Sequence, residues 1–317
     1  MFDTFSRAGE KPLEFIICIL LALIPVVVWY LIFRRKHANK WLFVILTFVA
    51  GMMAGALILA YQYFWGQSIG LVFFSVTPEN FSSNIQAQFG VTVLSYFLIY
   101  LSVGFIEEYA KHWVVKKADE RIFESVDDVI EFSIIAALGF SFLENIGYFF
   151  MVILRDDMET LPSLFLVRSV FVVFIHILCS GIYGYYYGLG HFASPVLAER
   201  QRQGKLAYIP EFVHRITHLK RATVFREEMA TFGLLIAMTL HGLYDFLLEM
   251  ETIGNLASYF TDAPVPPYLA EIRFHVVMLP IMLIGGYLYL MYLLRKKEDQ
   301  EEFGQLKIRE EYVPLKH

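Results

Sequence analysis

Seven stretches of the chain stay apolar for long enough to cross a bilayer, which takes about 20 residues of helix. They run roughly from Leu13 to Phe33, Trp41 to Trp65, Val91 to Trp113, Phe132 to Leu154, Leu164 to Leu189, Met229 to Met250 and Phe274 to Leu294. The pattern predicts an all-α polytopic membrane protein of about seven transmembrane helices. The first run is followed by "RRKHANK" with no small-residue cleavage site, so it reads as a retained helix rather than a removed signal. The run "IGLVFF" before Pro78 is too short to span and is expected to lie in the interface or dip back.

Composition agrees. Hydrophobic residues make up 57% of the 317 and charged ones 18%, with mean hydropathy +0.53, too apolar for a soluble domain of this length. The net charge of −5 and the short basic runs exclude a nucleic-acid surface. Cys18 and Cys179 both fall within apolar runs, so neither a disulfide framework nor a thiolate zinc site is expected. Segments 34–40, 114–128, 190–228 and 295–317 hold 20 Lys and Arg, whereas the segments on the other side hold 4, with Lys111 and Arg168 inside helices. Basic residues concentrate on the cytoplasmic side, which predicts an outside N-terminus and a cytoplasmic C-terminus.

Three regions follow: residues 1–90 with the first two helices and an outer loop, 91–250 as a four-helix core, and 251–317 with an outer loop, the seventh helix and a charged, mobile tail. Within the cytoplasmic loop 190–228, Phe212, Ile216, Leu219 and Thr223 share a helical face between basic residues. They predict either a helix on the inner membrane surface or a solvated connector.

The ionisable residues inside the spans are segregated. The third helix carries Glu107, Glu108 and Lys111, the fourth Glu144 and Asn145, the fifth Arg168 and His176, and the sixth His241 and Asp245. The first, second and seventh hold little beyond Cys18 and the near-terminal His275. Each buried charge is disfavoured by about 2.5 to 3.5 kcal/mol on insertion scales, so such groups should face the bundle interior and pair or meet water. Counting at about 1.5 Å per residue from the cytoplasmic ends puts Glu107 and Glu108 roughly 8 to 10 Å deep and Glu144, His176 and His241 roughly 18 to 20 Å deep, a funnel opening to the cytoplasm. Glu107 with Lys111, Glu108 with His112, and His241 with Asp245 are spaced i, i+4, so each pair shares a face. Asp245 is expected to orient His241, and Gly104, Gly139 and Gly147 to admit close helix approach. The structural alternatives are a hydrogen-bonding histidine at His176, a packing ion pair at Glu107–Lys111, and an Arg168 that snorkels.

Hydrolysis of an amide needs a base for water, a donor for the oxyanion and an acid for the leaving amine. Glu107 and Glu108 suit the base and acid work, and His176, His241 and Asn145 the donor work. Alternatively His176, His241 and Glu144 could hold Zn2+, with Glu107 or Glu108 as base, although no H-E-x-x-H helix is present. No G-x-S-x-G elbow surrounds Ser180, and Cys179 with His176 gives only a weak thiol alternative.

"EEYAK" matches an E-E-x-x-K motif, "FSFLEN" from Phe140 matches F-x-x-x-E-N, His176 stands alone on the next helix, and "HGLYD" matches H-x-x-x-D. This ordered set, from Gly104 to Phe246, resembles the PrsW family of intramembrane proteases, similar in its glutamate motif to the CAAX-protease and bacteriocin-processing superfamily. The resemblance implies a peptidase of the bacterial cell membrane, with Glu107 and Glu108 catalytic and Glu144, His176 and His241 as their partners. It also implies a single-pass membrane protein as substrate, the best-known member making the first cut in an anti-sigma factor. The family has been classed both as glutamate-type, requiring no cofactor, and as metal-dependent. The chain is longer than that member, with additional helices. A proton-coupled transporter is the competing reading, since buried Glu, His and Lys also build proton relays. Against it, no inverted repeat or matched pair of broken helices is visible. A non-catalytic scaffold using the polar groups as interhelical glue is the third.

Overall fold

Each apolar run folds as a helix, and most of the helices outlast the run that predicts them. The computed structural model describes residues 2–33, 40–68, 92–117, 122–192, 216, 220–258 and 263–302. Its long helices are α1 (Pro12–Phe33), α2 (Trp41–Ser68), α3 (Thr92–Lys117), α4 (Val126–Leu154), α5 (Leu161–Phe192), α6 (Arg221–Glu249) and α7 (Phe274–Glu302). Among the described residues there is no strand, only an isolated bridge between Thr252 and Arg273. Six of these helices are long and apolar enough to cross a membrane. The exception is α3, whose 26 residues have the length but include Glu107, Glu108 and Lys111.

The added length is polar and locally encoded. α4 starts at Val126, six residues before its apolar run, because Ser125 caps it. The Ser125 side chain accepts a long hydrogen bond from the Asp128 N–H at 3.4 Å, while the Asp128 carboxylate accepts from the Glu124 N–H at 2.7 Å. Asp127 and Asp128 also place negative charge on the first turn, where the helix dipole favours it. α6 likewise starts at Arg221, so Thr223 belongs to its first turn and not to a separate surface helix. The rest of that expected surface helix, apart from Ile216, lies outside the described residues, as do "IGLVFF" and the tail after Glu302.

Helix α4 is buried along most of its length and forms the centre of the bundle. By contrast Leu20 and Leu31 on α1, and Ile281, Ile284 and Leu288 on α7, are more than half exposed, the outward apolar faces expected of helices in lipid. The loops alternate between two ends of the bundle. Lys40 pairs with Asp128 at 2.8 Å and Lys297 with Asp127, gathering three basic segments at one end, while Lys11 meets Asp156 at 2.9 Å at the other.

Two close crossings set the frame of the bundle. A Cβ on Gly139 would lie 2.0 Å from the Phe48 carbonyl oxygen, and one on Gly51 2.1 Å from that of Ala136, so α2 and α4 touch backbone to backbone. At the crossing of α3 and α6, a Cβ on Gly104 would lie 2.6 Å from the Gly242 nitrogen, and one on Gly242 2.6 Å from the Leu101 Cα. Gly104 thus admits the neighbour expected of it, and that neighbour is the glycine following His241.

Candidate active site

The glycine crossing of α3 and α6 brings the glutamate pair face to face with His241. The Glu108 Oε1 accepts hydrogen bonds from His241 Nδ1 and from Lys111 Nζ, each at 2.8 Å. A carboxylate can only accept, so His241 Nδ1 carries a proton, and Nε2 is the ring nitrogen left over. That nitrogen faces Glu107 Oε2 at 3.6 Å and Asp245 Oδ2 at 3.6 Å. Glu107 Oε2 is buried and has no hydrogen-bond partner. Lys111 Nζ stands 3.9 Å from it. Two adjacent glutamates therefore differ sharply: Glu108 is fully engaged, and Glu107 presents an open oxygen.

His176 enters from α5, its ring edge-on to that of His241 with centroids 4.9 Å apart. Lys111 Nζ lies 2.6 Å from His176 Nδ1 and Glu144 Oε2 lies 3.1 Å from Nε2. An ammonium can only donate, so Nδ1 accepts and Nε2–H points to the carboxylate. Lys111 also sits 4.3 Å above the Phe140 ring, which gives the first residue of the F-x-x-x-E-N motif a cation–π role.

On the far side of Glu144, Arg168 belongs to a five-residue π-helical segment, Arg168–Val172, within α5. Such segments redirect side chains and recur at functional sites. Here Trp29 of α1 donates its indole N–H to the Ser169 carbonyl at 2.9 Å. Arg168 donates from Nε to Asn145 Oδ1 at 2.7 Å, pairs with Glu144 Oε2 at 3.0 Å and stacks over Tyr148 at 3.7 Å. Because arginine cannot accept, this contact fixes which way the Asn145 amide points and leaves its buried Nδ2 without a partner. Lysine cannot reproduce this fork. Arg168→Lys is expected to slow turnover by about 10- to 100-fold, the usual cost of losing an outer-shell partner, measured as the cleavage rate of a membrane substrate.

The four helices thus converge as the sequence predicts, but several pairings differ. The expected difference in depth of roughly 10 Å, counted at about 1.5 Å per residue, is absent, since Glu108 and His241 are in direct contact. Counting from apolar ends assumed that those ends were level, and they are not. Lys111 is closer to Glu108, at i, i+3, than to Glu107 at i, i+4. Glu108, rather than Asp245, holds the His241 ring, Asp245 standing beyond hydrogen-bond reach. Arg168 does not snorkel; it is 6% exposed and fully enclosed by its partners. Ser180 Oγ has no hydrogen bond, so His176 does not activate it. Phe140 enters the sequence reading only as the first residue of F-x-x-x-E-N, and Tyr148 not at all, although it follows Glu144 by one turn and shares its face.

The donor set fits a divalent metal. Glu107, His176 and His241 each offer a ligand atom within 4.8 Å of the others, and the oxygen of Glu107 has no competing donor. Two imidazoles with one carboxylate suit Zn2+. This group contains Glu107 where the sequence reading placed Glu144, which here is taken up by Arg168 and His176. Both nitrogens of His176 are engaged, so a metal held by that ring must displace either Lys111 or Glu144.

The fold defines a multi-pass membrane protein with a cluster of carboxylates and imidazoles inside its helical bundle. Residues 39–284 match the model of the PrsW family of intramembrane metalloproteases; the chain belongs to that family and is a membrane peptidase. The match takes in α2 and the first part of α7, so the family region is wider than the helices that carry the motifs. No curated protein and no solved structure matches the chain.

Proposed function

We propose that this peptidase cuts a single-pass membrane protein, with Glu107, Glu108, Glu144, His176 and His241 as its working residues. The observation that carries the proposal is the buried, unpartnered Oε2 of Glu107, held opposite His241 Nε2 in a pocket built by four helices. Glu107 Oε2 is the atom that meets the reacting water, directly or through a bound ion. Glu108 positions His241 and anchors Lys111, and Glu144 positions His176. The Asn145 amide, turned by Arg168, offers its N–H groups to the oxyanion, and Asp245 adds negative charge behind His241. When bound at Glu107, His176 and His241, Zn2+ would polarise the scissile carbonyl and acidify water.

A groove of about 920 Å3 between α2 and α3 supports a membrane-embedded substrate. Its walls include Leu46, Met53, Leu57, Ile106 and Trp113, and Ile106 is the sequence neighbour of Glu107. By resemblance, an anti-sigma factor in a bacterial stress response is such a substrate. The basic-residue count supports a cell-membrane protein with its N-terminus outside and its C-terminus in the cytoplasm. The transporter reading is not favoured, because the family is a peptidase family.

The test is cleavage of a single-pass substrate in proteoliposomes together with metal analysis. The expected result is one Zn2+ per chain, activity lost on chelation and restored by Zn2+. Full activity in metal-free protein would leave Glu107 acting on water directly and remove the metal from the scheme. No cleavage of any single-pass protein by metal-loaded enzyme would overturn the substrate class.

Lys111 provides a second check. Its ammonium lies within 4 Å of Glu107, Glu108 and His176, so it opposes any cation at the same donors. Removing one positive charge at that range should tighten Zn2+ binding of Lys111→Met by roughly tenfold or more, as read by competition with a chromogenic chelator.

A further inference from the structure

The candidate site lies inside the bundle, with the Glu107 and Glu144 side chains only 12% and 18% exposed, and hydrolysis consumes a water molecule at every turnover. We infer that water reaches it along a polar seam between α3 and α5, with Ser180 and His112 as its steps and the Lys116–Glu227 ion pair at its mouth. This inference rests on the peptidase reading above, but its principal test does not.

The seam follows from helical register. On α3, Glu108, His112 and Lys116 are spaced i, i+4, i+8 and so run along one face away from the site. On α5, Ser180 lies one turn beyond His176, and Tyr183 and Tyr187 continue the same face. The two faces meet where the His112 ring packs edge-on to Tyr183, with centroids 4.5 Å apart, and more distantly to Tyr187 at 6.1 Å.

Each polar step has a buried atom that no protein group satisfies. His112 is 8% exposed and its Nδ1 makes no hydrogen bond; Ser180 is 2% exposed and its Oγ makes none. Buried polar atoms are nearly always paired, and where protein supplies no partner an ordered water does. Had these positions only a packing role, an apolar side chain of similar size would avoid the cost of burying them. Beyond His112 the seam reaches the ion pair of Lys116 with Glu227 of α6, 2.9 Å long, with both side chains about 40% exposed. These are the charged groups acting on His112. The seam therefore joins the buried carboxylates to a hydrated surface.

The measurement uses silver ion, small and charged, which follows water and does not partition into lipid. In full-length protein carrying Cys18→Ala and Cys179→Ala, single cysteines are placed by Ser180→Cys, by His112→Cys and, as a lipid-facing control on α3, by Phe105→Cys; Phe105 is 50% exposed. Protection from later maleimide labelling is followed in sealed membranes. Silver should reach positions 180 and 112 at least about tenfold faster than position 105, since only a hydrated thiolate reacts readily. Equal rates at the three positions would overturn the inference. Ser180→Cys is nearly isosteric, so misfolding does not confuse this arm.

A second arm uses turnover. His112→Phe keeps the ring packing and removes the polar step; it should lower kcat about tenfold or more with KM unchanged and enlarge the solvent isotope effect, because delivery and transfer of protons would then limit the rate. His112→Gln should recover most of kcat. Wild-type kcat and isotope effect in His112→Phe would refute the seam, whereas a dead wild-type enzyme with silver-accessible positions would count against the peptidase scheme alone.

Discussion

Glu107→Gln is expected to reduce cleavage by about a thousandfold, within the range by which a positioned acid–base group accelerates reactions, while leaving the protein folded in the membrane. The reason is the asymmetry of the glutamate pair. Glu107 Oε2 accepts no hydrogen bond, so an amide of the same shape breaks no structural contact. Thermal stability should therefore hold. Glu108→Gln should behave differently. It weakens contacts to Lys111 and His241 that are both 2.8 Å long, leaving an ammonium buried without its closest counter-charge. Activity and melting temperature should then fall together. Initial cleavage rates and thermal unfolding of the two purified variants separate the roles, and identical behaviour would contradict them.

Gly242→Leu is expected to abolish turnover without touching a group that performs chemistry. A side chain at position 242 meets the Leu101 backbone, and one at Gly104 meets Gly242 in return, so neither clash is relieved by a rotamer change. α3 and α6 must separate, and Glu108 then loses its grip on His241. A misplacement of about 1 Å in such a constellation can cost on the order of 100-fold in rate. Gly285→Ala on α7, where an added Cβ meets nothing within 4 Å, is the matched control and should leave both rate and stability unchanged. A Gly242→Leu enzyme with normal turnover would mean that the crossing does not set the site.

The residues of the candidate site were legible because the membrane makes them conspicuous. Glu107, Glu108, Glu144, His176 and His241 each interrupt an apolar run, and a charge in such a run needs a reason. Gly104 was legible for the same kind of reason, since a small residue one turn from a buried carboxylate implies a close neighbour. The partners were not legible. Spacing along one helix suggested Asp245 for His241 and Glu107 for Lys111, yet Glu108 takes both, reaching His241 across from α3 to α6 and Lys111 within α3 at i, i+3. The π-helical segment that directs Arg168 to Asn145 leaves no mark in hydrophobic periodicity. The helix ends were missed because apolarity reports the lipid-facing length, whereas caps such as Ser125 report the helix. For the metal group, the residue types were visible but the substitution of Glu107 for Glu144 depended on which carboxylate Arg168 had already taken.

The central claim is that Glu107 meets the water that cuts a membrane-embedded chain, and its most direct test is the new terminus itself. Wild-type protein and Glu107→Gln would be incubated side by side, in proteoliposomes, with membrane proteins from the same cells, and the new termini identified by mass spectrometry. The account predicts a terminus within or at the edge of a single apolar span in the wild-type sample, absent with Glu107→Gln. The same terminus appearing at the same rate in both samples would contradict it.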